Sequence, residues 1–414
     1  MRTRMPSFCT LAVLAIFLLG GSRTSSAQQV VKFGEGQTLT ISGFISSTFF
    51  VDRSLFGAFG QGQNAEYAAP PVTVGTSTPQ PTSDKLFTDA DVRNTRIAFE
   101  FAAQPVLGKW APKALLEADF FGAFNGVPPF GDEQPQLRIR FAYVDLSNGR
   151  TTLRIGQFWS PLFGETPVST THLAFPLGYG ATGKIGWRFP GIYFYHDLNP
   201  GKPVVAQLQL AVFKGSGPTA SARDAGPGIG NGEASGLPQL EARLNFTKRS
   251  QTLSWGGYVV GHLDWKDTTG TNVSGDNMSC WGFEAGGNVV RNKLSLRGNF
   301  YYGKGLGQQF AHITQTQGTG NIRGYGAWAQ IGYDFTPRWG YYLFYGVDNP
   351  DEQRFAQDNA GAVLLRKENQ DGSAMLRFRA GRYALGLEYF RAMTRWSSGL
   401  TNAEQLAFSV LYTL

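Results

Sequence analysis

Residues 136–159 read QLRIRFAYVDLS, then Asn148-Gly149-Arg150, then TTLRIGQFW. In the first run Leu137, Ile139, Phe141 and Tyr143 share one parity and Arg138 and Arg140 begin the other. Period two is the spacing of a strand with two unlike faces. Asn148-Gly149 supplies the positive backbone angles that tight hairpins need, so the two runs form one β-hairpin. The same division recurs elsewhere. Leu116, Ala118 and Phe120 oppose Glu117 and Asp119; Leu240, Ala242, Leu244 and Phe246 oppose Glu241, Arg243 and Asn245. Near the end, Leu376, Phe378 and Ala380 oppose Arg377 and Arg379, and the 404–414 run alternates to Leu414.

Outward from that hairpin the rhythm continues along the chain. About sixteen strand-like segments follow one another: 38–52, 91–103, 113–124, 136–147, 151–159, 183–198, 203–214, 238–247, 252–266, 278–290, 293–303, 323–335, 339–347, 372–380, 383–396 and 404–414. The connections alternate short and long. The long ones (53–90, 125–135, 160–182, 215–237, 267–277, 304–322, 348–371 and 397–403) carry most of the Pro, Gly, Asn and Ser. Short turns on one rim and long loops on the other describe an up-and-down barrel. Pro190-Gly191 inside one strand predicts a bulge or kink.

Composition agrees. The 414 residues include 53 glycines, charged residues are only 16%, and mean hydropathy is −0.20. This suits strands, tight turns and polar loops rather than a helical bundle or a disordered chain. A cylinder of about sixteen strands has a lumen too wide for side chains to fill, so its apolar faces must meet lipid and its ionic faces water. The predicted fold is therefore all-β, a transmembrane antiparallel barrel with short periplasmic turns and long extracellular loops. Trp159, Trp255, Trp265, Trp281, Trp339, Tyr341, Tyr345 and Trp396, near strand ends, fit the aromatic girdles of such a wall. A soluble sandwich, with its apolar parity inward, is the alternative.

Arg2 and Arg4, the apolar run Leu11 to Leu19 and the small residues Ser25-Ser26-Ala27 predict a signal peptide over residues 1–27, with one barrel domain over 28–414. Removing Arg2, Arg4 and Arg23 lowers the formal charge from +7 to +4, too weak and too dispersed for a nucleic-acid face. Cys280 then has no intramolecular partner.

Four consecutive runs, DVRNTRIAFEF (91–101), ALLEADFFG (114–122), LRIRFAYVDL (137–146) and LRIGQFWSPL (153–162), resemble the front of the DcaP-like porins of Gram-negative outer membranes. The resemblance covers about a fifth of the chain. It implies a sixteen-stranded, homotrimeric outer-membrane barrel that passes small, often anionic, solutes such as dicarboxylates, in contact with membrane lipid and lipopolysaccharide. Two features depart from it. Only residues 28 to about 37 precede the first strand where the family carries a helical segment, and the chain ends Tyr412-Thr413-Leu414 without a terminal Phe.

The inward parity assigns pore-lining roles to Arg96, Glu117, Asp119, Arg138, Arg140, Arg154, Arg243, Arg297, Arg377 and Arg379. Guanidinium groups keep their charge and hold carboxylates with paired hydrogen bonds, so an Arg-biased wall favours anions. The alternative is that Glu117 and Asp119 neutralise Arg96, Arg138 and Arg140 and merely brace the wall. The loop 160–182, with Glu165 and His172, is a candidate constriction, or else an ordinary surface loop. No catalytic motif, metal-ligand spacing or cofactor-binding pattern occurs, and His172, His196, His262 and His312 are scattered. The expected function is passive diffusion through a non-enzymatic porin. A plugged structural or adhesive barrel and a barrel hydrolase are the other readings.

Overall fold

The computed structural model describes residues 29–34, 36–57, 61–71, 85–122, 136–172, 181–215, 230–250, 252–267, 278–306, 322–353 and 365–414. The predicted signal peptide lies outside them, as do parts of the long loops. Among the described residues eighteen strands form one antiparallel sheet. They are β1 Gln29–Phe33, β2 Gln37–Arg53, β3 Leu86–Asp91, β4 Arg96–Ala102, β5 Ala111–Asp119, β6 Arg138–Ser147, β7 Thr151–Trp159, β8 Arg188–Asp197 and β9 Val204–Phe213. Then follow β10 Gln239–Lys248, β11 Leu253–Lys266, β12 Met278–Arg291, β13 Leu294–Lys304, β14 Arg323–Tyr333, β15 Trp339–Pro350, β16 Arg366–Ala380, β17 Tyr383–Trp396 and β18 Gly399–Thr413.

The sheet closes because β18 pairs with β2, Thr413 opposite Phe44 and Glu404 opposite Arg53. Eighteen strands occupy sixteen wall positions. β3 and β4 pair with successive stretches of β2 and share one position, while β1 covers residues 37–41 of β2, just past the point where β18 ends. Closure gives each of the sixteen wall positions a paired neighbour on both sides, which hydrocarbon demands of a backbone that crosses it. The outward faces carry exposed apolar side chains such as Phe49, Ile155, Val259, Leu296 and Phe408, and their inward neighbours Thr48, Glu284 and Ser409 are buried. The expected sixteen-position barrel is thus the observed fold.

Several sequence expectations need correction. Phe141 and Tyr143 do not share the outward face with Ile139. Between β5 and β6, Ala118 opposes Ile139 and Glu117 opposes Phe141, leaving Arg140 as the extra residue of a bulge. Below it the parity flips: Tyr143 and Asp145 turn inward and Val144, 56% exposed, turns outward. Gln157 satisfies the carbonyls that the bulge displaces, donating to those of Ile139 at 2.9 Å and Arg140 at 3.1 Å. Gly156, at φ 136°, faces Tyr143 across the hairpin, where a Cβ would strike the Ala142 carbonyl.

No bulge occurs at Pro190-Gly191, which pair with Gln157 and Gly156 in unbroken register. Pro190 sits beyond the last β8–β9 rung and lends that side only its carbonyl, to Lys214 N–H at 3.1 Å. Residues 183–187 belong to the preceding loop, since β8 starts at Arg188. The predicted long loop 397–403 is a tight turn, because β17 and β18 pair from Trp396 opposite Gly399 downward. Trp159 and Trp396 are not girdle residues: Trp159 stacks on Phe163 and Trp396 is buried against Tyr67. Trp255, Trp265, Trp281, Trp339, Tyr341 and Tyr345 lie on the outward parity of their strands.

Candidate pore constriction

The long-loop ends of β4 to β8 gather five of the predicted lining residues. Arg138 forks onto Asp119, with Nε and Nη2 donating to its two oxygens at 2.9 and 2.7 Å. Arg140 bridges two carboxylates, Glu117 at 2.7 Å and Asp119 at 3.1 Å. Arg96 approaches Glu117 at 3.7 Å. The bulge makes the bridge possible, because it brings Arg140 to the lumen side beside both Glu117 and Phe141.

Sequence reading missed a further guanidinium. Arg188, 5% exposed at the start of β8, lies within electrostatic range of Arg140, Arg138, Asp119 and Arg96. It makes no ion pair among the described residues, and its Nη1 is buried without a hydrogen-bond partner. Its contacts are the indoles of Trp159 and Trp187, whose centroids lie 4.7 and 4.3 Å from its guanidinium carbon. No pattern in the sequence marked it, since the expected strand began at residue 183 and put no weight on this position. Arg93 was missed too. It is fully buried on Asp91, a neutral pair beside the cluster.

The other predicted residues lie elsewhere. Arg154 is held by Asp145, at 2.7 and 2.8 Å, and stacks on Tyr143 and Phe158 nearer the short-turn rim. Arg377 and Arg379 share Asp334 at 3.5 and 3.3 Å, near the short-turn ends of β14 to β16. Arg243 and Arg297 hold a loop. Arg243 donates to the carbonyls of Pro161 at 2.8 Å and Phe163 at 3.3 Å, and Arg297 to that of Thr166 at 3.1 Å.

That loop, between β7 and β8, turns into the lumen. Its described residues meet the inner wall from β10 round to β18. The N–H of Leu162 donates to Glu241 at 2.7 Å, and Gln330 clasps Val168 through both its N–H and its carbonyl, at 2.7 and 2.9 Å. Ser169 donates to Glu388 at 2.7 Å, Thr171 meets Ser409 at 2.7 Å, and Asn94 donates to the Thr171 carbonyl at 2.6 Å. On the return, Thr182 reaches Asp371 at 3.1 Å and Asn299 donates to the Gly183 carbonyl at 2.8 Å.

Glu165 is fixed by Asn288 at 2.6 Å, while Lys184 caps the Glu165 carbonyl at 2.6 Å. Burial lowers the Lys184 pKa to about 8. His172 is 3% exposed, its N–H on Ser169 and its ring beside Gln63 and Phe390. Burial holds its pKa down to about 4, so it packs as a neutral ring. Part of the first long loop joins it: the Gly62 N–H donates to Asp52 at 2.6 Å, and Glu66 is buried, its pKa raised to about 8 by desolvation. Among the described residues no group of His, Cys, Asp or Glu is assembled for a metal ion.

No protein-family model and no curated protein matches the chain. Its structure is similar to that of the outer membrane channel DcaP of Acinetobacter baumannii, with TM-score 0.67 and 19% identity over 93% of this chain and 99% of that one. It is also similar to OmpT, an outer membrane protein of Vibrio cholerae, with TM-score 0.52 and 11% identity over 93% and 100%. A third likeness, to Pseudomonas putida OprB, has TM-score 0.52 and 12% identity over 90% and 94%. The resemblance read from four strands therefore extends, as a fold, to nearly the whole chain.

Proposed function

We propose that the chain is an outer-membrane porin through which small hydrophilic solutes diffuse passively, with a preference for anions such as carboxylates. One observation carries the preference. At the long-loop ends of β4 to β8, four guanidinium groups (Arg96, Arg138, Arg140 and Arg188) accompany two carboxylates (Glu117 and Asp119), and the flanking pairs Arg93–Asp91 and Arg154–Asp145 are neutral. Among the described residues this stretch of wall thus carries two more positive than negative charges, on the side of the lumen away from most of the contacts of the inward loop. Fixed charge on a narrow aqueous path selects counter-ions. Glu117 and Asp119 brace the arginines without cancelling them, so bracing and selectivity coexist.

The loop docked on β10 to β18 supports a constriction, with Glu165 and His172 serving to seat it rather than to read solute. Signal-directed export, a homotrimeric state and contact with outer-membrane lipid belong to the same reading, the first supported by the N-terminal sequence, the second by the resemblance of the four strands and the third by the apolar outer face. No catalytic role is proposed. Reversal potential across a planar bilayer in a KCl gradient tests the proposal. Anion selectivity is expected, a cation-selective current refutes it, and a silent bilayer favours the plugged barrel.

A further inference from the structure

The outer wall over β8 to β12 is dented. A concavity of about 620 Å³ opens between Val212 and Leu240 on one side and Leu263 and Trp281 on the other. Ala242 and Gly261, paired directly across β10 and β11, form its floor. Every one of these side-chain positions lies on the outward parity, and a Cβ on Gly261 would meet no heavy atom within 4 Å. The dent lies near the long-loop rim, since β9 ends at Phe213, β10 starts at Gln239, β11 ends at Lys266 and β12 starts at Met278.

Two cations stand beside it. Lys304 pairs directly with Trp281, and Arg323 with Lys304, so the register turns both toward the same outer side. Arg323 is exposed and Lys304 half-buried, and neither makes an ion pair or a side-chain hydrogen bond among the described residues. Lys214, on the same rim, is instead neutralised by Glu233 at 2.6 Å. An apolar slot with two uncompensated cations above one edge is complementary to an anionic amphiphile seated parallel to the wall.

We propose that this face binds a lipopolysaccharide molecule, an acyl chain lying in the dent over Ala242 and Gly261 and a phosphate on its diglucosamine resting against Lys304 and Arg323. A zwitterionic lipid, whose phosphate is already balanced by its own ammonium group, brings no net negative charge to the two cations. The glycolipid is chosen over an anionic phospholipid because the site lies at the long-loop rim, the side that faces the glycolipid leaflet in an outer-membrane barrel.

Native mass spectrometry of the full chain in detergent, mixed with lipid A, dephosphorylated lipid A or phosphatidylglycerol, tests it. Lipid A should be retained in preference to both of the others. The double variant Lys304→Gln/Arg323→Gln should lower lipid A retention about twenty-five-fold, roughly fivefold for each cation, and leave the dephosphorylated lipid unchanged. Gly261→Leu, whose Cβ meets open space and whose side chain would occupy the dent, should weaken both forms of lipid A and leave conductance unaltered. Equal retention of the phosphorylated and dephosphorylated forms by the unmodified chain overturns the proposal without any variant. So does equal retention of phosphatidylglycerol, or a Gly261→Leu chain that binds as before. Lipid retention needs no current, so a silent bilayer would refute the channel reading and leave this one standing.

Discussion

Two arcs of the barrel use the same inward parity for different work. On β4 to β8 charged side chains meet charged side chains across neighbouring strands, Arg138 on Asp119 and Arg140 on both Asp119 and Glu117. On β10 to β18 the inward groups Glu241, Gln330, Glu388 and Ser409 are occupied by a single loop. Each arc finds partners for most of its buried polar groups, Arg188 Nη1 being an exception on the first. The first does so internally and keeps a charge surplus; the second does so through the loop. Removing a partner should therefore cost stability on the first arc and loosen the loop on the second.

Arg140→Ala should show the largest effect. It leaves Asp119 to Arg138 alone and Glu117 with only Arg96, at 3.7 Å, and should destabilise the barrel by about 3 kcal/mol, the lower end of the cost of breaking a buried pair. Urea-unfolding midpoints in lipid vesicles would measure it, and a loss under 1 kcal/mol would mean the pairs are already well hydrated.

The next effect depends on pH. His172 has a pKa of about 4 in the folded protein and about 6.5 when unfolded, so the unfolded chain binds the extra proton between those values. Stability should be constant above about pH 6.5 and fall as pH drops toward 4, by up to about 3 kcal/mol. His172→Phe should remove that slope, and a profile the same in both chains contradicts the assignment. Glu66 works in the opposite sense, its folded pKa of about 8 lying above the ordinary 4.5. Its stabilising share is complete below pH 4.5 and is lost as pH rises through 8, so Glu66→Gln should raise stability at pH 8.

Gln330→Ala removes both hydrogen bonds to Val168 and should cost about 1 to 2 kcal/mol. Its sharper signature is electrical: a less firmly seated loop should give noisier or larger single-channel currents. Unchanged traces would show that the other anchors suffice.

Arg188→Gln should have the smallest effect on stability, within about 0.5 kcal/mol, because no carboxylate loses a partner. It should nonetheless reduce the anion-to-cation permeability ratio about threefold, as expected for one charge of a two-charge surplus. An unaltered reversal potential would remove Arg188 from the selective wall.

Much of this was legible along the chain. Leu240 to Phe246 against Glu241 to Asn245 gave the two faces of β10 correctly, and turns such as Asn148-Gly149 located the hairpins. Legibility failed where register or path departed from the local rule. Phe141 and Tyr143 were placed on the wrong side because a single extra residue, Arg140, reverses every parity below it. Trp396 and Trp159 read as girdle residues because a strand-end aromatic looks alike whether lipid or a folded-in loop lies against it.

By itself the sequence determined the alternation, the number of wall positions and the sorting of apolar and ionic side chains, because a strand's period depends only on its own backbone geometry. The tertiary structure alone decided which charges meet. The proximity of Arg188 to Arg140, the bridge from Arg140 to two carboxylates and the seating of Val168 on Gln330 depend on inter-strand register and on the course of a loop. Those are set by the closed cylinder as a whole, which brings together residues more than a hundred positions apart, as the 162 between Val168 and Gln330 show.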